Sequence, residues 1–273
     1  VIASLLPSDN SAAVSACLPD SADTDSEDDE FSSPSQQPLG EFTHLQPIID
    51  RLPPYLSPAE VKKAIQLLHD NADVFSRHKF DLGCTDLIQV RIPTGDAKPH
   101  AEGLRAHPRA YLDAIDQEIQ QMISADVIEP ACSSWNANIV CVKKRNSDLR
   151  ICVDMRKLNK AHQPFIDKYP LSRIDQCMDA LASKKVFSSL DVSSSFHQVP
   201  IHPDDRHKTA FCTRRGQFQY KKLTMGFSSS PAAYSRLMEK VLCGLLYNVA
   251  VSYIDDVVIF ANSFDDMLAH LQL

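Results

Sequence analysis

The stretch Val249-Ala250-Val251-Ser252-Tyr253-Ile254, followed by Asp255-Asp256 and then Val257-Val258-Ile259-Phe260, decides the reading of this chain. Both apolar runs are short and rich in β-branched and aromatic residues, so each reads as a buried strand. Together they predict a hairpin with two carboxylates at its tip. Like charges beside apolar strands are costly unless a cation offsets them. A divalent ion does this well, since Mg²⁺ takes carboxylate oxygen and keeps other positions open for phosphate. Asp is also a good turn residue, so an ordinary hairpin turn accounts for the pair as well. The rest of the chain has to decide between these readings.

A third carboxylate closes the segment Val186-Phe187-Ser188-Ser189-Leu190-Asp191-Val192, which also reads as a strand. Three Asp carried by two strands are enough to hold a pair of metal ions. Three further segments accompany them. Asp191 opens into Val192-Ser193-Ser194-Ser195-Phe196-His197-Gln198-Val199; Leu223-Thr224-Met225-Gly226-Phe227-Ser228-Ser229-Ser230-Pro231 lies between the two carboxylate segments; and Arg150-Ile151-Cys152-Val153-Asp154-Met155-Arg156-Lys157-Leu158-Asn159 precedes them. In this order, the four segments resemble the fingers motif, first carboxylate motif, nucleotide-site segment and second carboxylate motif of reverse transcriptases from gypsy-class LTR retrotransposons. The resemblance runs from about Asp73 to the C-terminus.

The resemblance implies an α+β fold: the fingers and part of the palm of a right-hand polymerase, with a ferredoxin-like palm sheet backed by helices. It divides the chain into a disordered acidic arm (1–50), an N-terminal helical or linker segment (51–84), fingers (85–166), palm (167–198), fingers again (199–229) and palm again (230–273). The implied activity is RNA-directed DNA polymerisation. Asp191 and Asp255 would ligate two Mg²⁺ ions, or Mn²⁺, with Asp256 in support. The implied nucleotide contacts are Lys143 and Arg150 to the triphosphate, Phe196 under the sugar, where a ring leaves no room for a 2′-hydroxyl, and Met225 and Gly226 beside the nucleotide and template. Tyr253 would lie near the primer end. The implied partners are an RNA or DNA template-primer, deoxynucleoside triphosphates and the remaining Pol domains, among them thumb, RNase H, protease and integrase. Related enzymes continue past this point, so the chain is expected to be a piece of a longer polyprotein that works inside the cell, in a cytoplasmic particle.

This chain departs from the family pattern at several positions. It has Ser195, Ser147 and Asp126 where the family usually has Gly, Leu149 where it has Trp, and Thr224 and Asn138 where it has Pro. Every proposed metal ligand is spared, but turns that want positive φ would be strained without glycine. A polymerase-like module that holds nucleic acid without catalysis is therefore the second reading.

Charge supports a phosphate-contacting domain once its distribution is seen. The net charge is −7, but residues 1–50 hold ten of the 35 acids and no Lys or Arg. The remainder has 25 acids against 28 bases, a net of +3. The arm is rich in Ser, Asp and Pro, notably over residues 23–38, a composition that predicts disorder. No apolar run approaches a membrane span and no signal peptide is evident. The eight cysteines form no Cys-x-x-Cys pair and read as reduced core residues. His197, His202 and His207 recur every five residues, but the intervening Pro200 and Pro203 argue against a helical metal site.

Local signals set the remaining elements. Ser57-Pro58-Ala59-Glu60 predicts a capped helix to about Leu68 or His69. A second helix is expected from near Pro108, with Leu112, Ile115, Ile119, Met122 and Ile123 as its apolar stripe. Between them, Phe80 to Pro108 reads as mixed strand and loop. Ile139 to Lys143 and Arg150 to Asp154 read as one hairpin, and Thr209 to Thr213 with Gln217 to Lys221 as another. A helix from Ser230-Pro231 is expected to bury Leu237, Met238, Val241, Leu242, Leu245 and Leu246, and Ser263 is expected to cap a last helix.

Overall fold

The computed structural model describes residues 3–7, 42–143 and 149–273. Two sheets carry the fold. The first has four strands in the order β1-β5-β9-β8: β1 (Ala3–Pro7), β5 (Val186–Asp191), β8 (Ala250–Tyr253) and β9 (Asp256–Ala261). All its pairings are antiparallel. The second has five strands in the order β2-β7-β6-β3-β4: β2 (Ile128–Pro130), β3 (Ala137–Lys143), β4 (Leu149–Val153), β6 (Phe211–Thr213) and β7 (Gly216–Tyr220). Here β3 and β6 run parallel.

Among the described residues, eight α-helices accompany the sheets. α1 (Gln46–Ile49) and α2 (Pro58–Asp70) lead in, and α3 (Leu112–Ser124) packs on the five-stranded sheet. α4 (Arg156–His162), α5 (Ile174–Leu181), α6 (Pro203–Arg206), α7 (Ser230–Val241) and α8 (Phe264–Leu271) follow. The first sheet explains why its strands read as continuous apolar runs: both faces are covered. Val251 and Phe260 pack with Cys177 of α5 on one face. Val257, Ile259 and Ala261 join the main core with Leu237 and Met238 of α7 and Met267 of α8. This is the α+β, helix-backed palm and fingers arrangement expected from the sequence.

The caps behave as their chemistry dictates. Ser57 accepts from the Glu60 amide while Glu60 reaches back to the Ser57 amide, and Ser263 accepts from the Asp266 amide at 3.1 Å. In α3 the predicted stripe holds, with Ile115, Ile119 and Met122 buried and Leu112 and Ile123 half-buried.

Several expectations need correction. The segment from Phe80 to Pro108 forms no strand, only isolated bridges such as Val90 to Ile201 and Ala101 to Asn136. It is fixed instead by side chains: buried Asp205 accepts from Arg91 Nε at 2.6 Å, the Ile92 amide at 3.0 Å and Lys208 Nζ at 2.7 Å. α7 stops at Val241, short of the left-handed Gly244, and Val241 is exposed while Leu242, Leu245 and Leu246 are only half-buried. The arm expected over 1–50 is not structureless throughout. Ala3–Pro7 pairs with β5, and Leu45 and Ile48 pack with Leu68 and Phe75 in a small core of their own. Residues 8–41 lie outside the described residues. Among seven described cysteines, all free, only Cys177 is buried, and Cys84, Cys132 and Cys243 are exposed. No helix among the described residues is long and apolar enough to cross a membrane.

Candidate active site

β5 and the β8–β9 hairpin bring the three carboxylates to one end of the four-stranded sheet. In the ladder Asp191 lies directly opposite Asp256, and Tyr253 opposite Asp256 on the other side. Opposed residues of an antiparallel pair share a face and stand a few ångströms apart. The hairpin turn is Ile254-Asp255, and Ile254 holds φ at +57°. A β-branched residue in the left-handed region is strained and persists only where its surroundings impose it. The turn is also tied to β5, because the Val192 amide donates to the Asp255 carbonyl at 3.5 Å.

Asp191 and Asp255 both line one cleft of about 260 Å³. Arg150, Phe196, Met225 and Thr224 line it too, along with Lys79 and Glu118. Asp256 and Tyr253 are exposed at its margin but do not line it. Gly226 follows the lining residue Met225 and lies outside the lining. The backbone of Lys143 pairs with Leu149, and the Lys143 side chain lies outside the described residues, as does Ser147. The structure therefore brings together Asp191, Asp255, Arg150, Phe196 and Met225, which are dispersed over four sequence segments.

None of the three carboxylates forms an ion pair or a side-chain hydrogen bond among the described residues. Hard, unpaired carboxylate oxygens beside a cleft that also holds a guanidinium suit a divalent cation that shares its shell with phosphate. Among the described residues no three His, Cys, Asp or Glu side chains form a ready-made metal-binding group. The donor chemistry suits such a cation, but among the described residues Asp191, Asp255 and Asp256 are not gathered into a three-ligand group.

The cleft has two supports that the sequence reading did not single out. Tyr234 of α7 is buried, and its ring meets the Phe196 ring edge-on at 5.7 Å between centroids. Burial pushes the Tyr234 hydroxyl well above the usual phenol range, and the Asp255 and Asp191 charges push it further. Only the tertiary fold places this neutral ring under both the carboxylates and Phe196. Asn159 supports the other wall. Its amide donates to the Gly226 carbonyl at 2.7 Å, and its side-chain oxygen accepts from the Ser228 amide at 2.9 Å. Gly226 adopts φ +85°, a conformation open to glycine without strain. Asn159 was visible in a motif, but its role was not.

The departures from the family pattern fall into different classes. Asp126 holds φ at +55°, as feared for a lost glycine. Ser195 does not; the left-handed residue is its neighbour Ser194, at +45°. Ser195 is buried, and among the described residues its hydroxyl has no hydrogen-bond partner. Asn138 is satisfied by Glu102 at 2.9 Å and the Arg105 amide at 3.1 Å. Leu149 lines the cleft.

Comparison with known proteins agrees with this geometry. Residues 142–273 match the family of reverse transcriptases (RNA-dependent DNA polymerases). The chain is 29% identical over 205 residues to the retrovirus-related Pol polyprotein from transposon 412 of Drosophila melanogaster, covering 73% of this chain and 16% of that one. It is also 29% identical over 250 residues to the gypsy Pol polyprotein of the same organism, covering 88% and 23%. The chain thus spans less than a quarter of the length of these relatives. In fold it is similar to the foamy viral protease-reverse transcriptase in complex with an RNA/DNA hybrid, with a TM-score of 0.75, 21% identity and coverage of 89% and 32%. The carboxylate hairpin and the cleft residues Asp191, Phe196, Met225 and Asp255 all fall within residues 142–273, the stretch that matches the reverse transcriptase family.

Proposed function

We propose that this chain supplies the nucleotide-addition site of an RNA-directed DNA polymerase within a longer Pol polyprotein. The observation that carries the reading is that Asp191 and Asp255 share one cleft with Arg150, Phe196 and Met225 while, among the described residues, their carboxylates form no ion pair. Asp191 and Asp255, with Asp256 in support, would hold two Mg²⁺ or Mn²⁺ ions, which supply charge stabilisation to the attacking and leaving oxygens of phosphoryl transfer. The protein's own part is positioning. Arg150, joined by Lys143 of the same hairpin, orients the triphosphate through charge-assisted hydrogen bonds. Phe196, backed by Tyr234, excludes a 2′-hydroxyl. Met225 and Gly226 face the nucleotide and template, and Tyr253 the primer end.

In this reading the five-stranded sheet belongs to the fingers (85–166 and 199–229) and strands β5, β8 and β9 of the four-stranded sheet to the palm (167–198 and 230–273), after an arm over 1–50 that lends β1 and a lead-in over 51–84. The partners are a template-primer, deoxynucleoside triphosphates and the other Pol domains, in a cytoplasmic particle. The buried, unpartnered Ser195 hydroxyl favours the second reading, a nucleic-acid-binding module without catalysis. One experiment separates them. In the full-length polyprotein, Asp191→Asn and Asp255→Asn should lower primer extension by several orders of magnitude, with Asp256→Asn equal or milder. Extension at the parental rate by Asp191→Asn would sink the polymerase site.

A further inference from the structure

Cys84 and Lys222 meet far from each other in sequence and outside the groups used above. Lys222 Nζ donates to Cys84 Sγ at 2.5 Å. Lys222 is only 9% exposed, and among the described residues it forms no ion pair. A lysine amine is rarely buried without a carboxylate, because a lone charge out of water is costly. Here the group facing it is a thiol, a weak acceptor. Cys84 itself is exposed, so a small oxidant reaches its sulfur from solvent. The backbone fixes the encounter from both sides. The Thr85 amide donates to the Gln198 carbonyl at 3.0 Å, Lys222 bridges to Pro200, and the Leu223 amide donates to Val199 at 2.8 Å.

We propose that Cys84 and Lys222 form a reversible covalent link under oxidation, with a hydroperoxide as the oxidant. In the first step the Cys84 sulfur attacks a peroxide oxygen. An S–O bond forms, the O–O bond breaks, and the thiol proton leaves in the water released. Sulfur loses two electrons and the peroxide gains them, giving the sulfenic acid. In the second step the Lys222 nitrogen, after releasing its extra proton to solvent, attacks that sulfur. An N–S bond forms, the S–O bond breaks, and the oxygen departs as water with one proton from nitrogen. Hydrogen peroxide becomes two waters overall, and the chain loses two hydrogen atoms. Excess dithiol reverses the link by attack on sulfur, returning thiol and amine and becoming a disulfide. Proximity drives the second step, since nitrogen and sulfur already touch.

The link would bear on the cleft. Lys79 and Phe80, just before Cys84, and Thr224 and Met225, just after Lys222, all line it. Oxidation would join these two walls covalently.

The test uses the chain treated with hydrogen peroxide, digested and analysed by mass spectrometry, with dimedone to trap free sulfenic acid. The expected product is a Cys84–Lys222 linked peptide that lacks two hydrogens and disappears with dithiothreitol. Dimedone should trap Cys84 about tenfold less in the parent chain than in Lys222→Met, where condensation is impossible. The exposed thiols Cys132 and Cys243 serve as internal standards for oxidation. The parent-chain result stands even if Lys222→Met folds poorly. Equal trapping of Cys84 in both proteins, or a parent chain with oxidised Cys84 and no linked peptide, would overturn the proposal.

Discussion

The Asn159 side chain donates to the carbonyl of Gly226 at 2.7 Å, joining α4 to the turn beside the cleft. Its second bond, from the Ser228 amide, closes the clamp. Asn159→Ala removes both bonds, to the Gly226 carbonyl and from the Ser228 amide. The expected loss is about 1–3 kcal/mol of stability, read by urea denaturation of the chain. Nucleotide KM in the full-length polyprotein should rise more than kcat falls. A variant with unchanged stability and KM would show that the clamp is incidental.

Phe196 lines the cleft and rests edge-on against Tyr234. Phe196→Val should admit ribonucleotides while leaving the phosphate contacts in place. The quantity to measure is kcat/KM for a deoxynucleotide over that for its ribonucleotide, which should fall by about tenfold or more. If the ratio does not move, Phe196 is core and nothing else.

Acid should find a weak point at Asp154. Its carboxyl is held down at about 2 by the side-chain hydrogen bond from Arg156, at 2.5 Å from Nη2. A depressed carboxylate contributes stability above its unfolded value and loses it as pH falls through the folded one. The loss is therefore expected between about pH 4 and pH 2. Arg156 is largely exposed, so solvent screening keeps the effect small. Asp154→Asn should flatten this limb of the pH–stability curve. An acid limb identical in the variant would rule out the pair as its source.

Nucleic-acid affinity should be weak and salt-sensitive for the chain alone, because a net of +3 outside residues 1–50 neutralises few phosphates. Replacing Asp23, Asp25, Glu27, Asp28, Asp29 and Glu30 by their amides should tighten binding at low salt, since these charges repel the same ligand. Substitution is preferable to deleting residues 1–50, as Leu45 and Ile48 belong to a packed core. Fluorescence anisotropy at two salt concentrations reads the change. Tight binding by the parent chain would contradict this account.

Local chemistry was enough to locate the strands that carry Asp191 and Asp256 and the turn that carries Asp255, the caps at Ser57 and Ser263, and the stripe of α3. Alternation, capping and turn preference act over a few residues, and a single chain displays them. The end of α7 was readable at Gly244 yet was overrun, because Leu245 and Leu246 continued an apolar pattern that the helix does not use. Other features depend on residues brought together from afar. The register that sets Asp191 against Asp256, the Tyr234 ring beneath Phe196, the Asn159 clamp on Gly226 and the Cys84–Lys222 contact all belong to this class. Each joins segments whose spacing in sequence carries no distance information. Only the packing of the sheets and helices fixes which of many compatible partners meet.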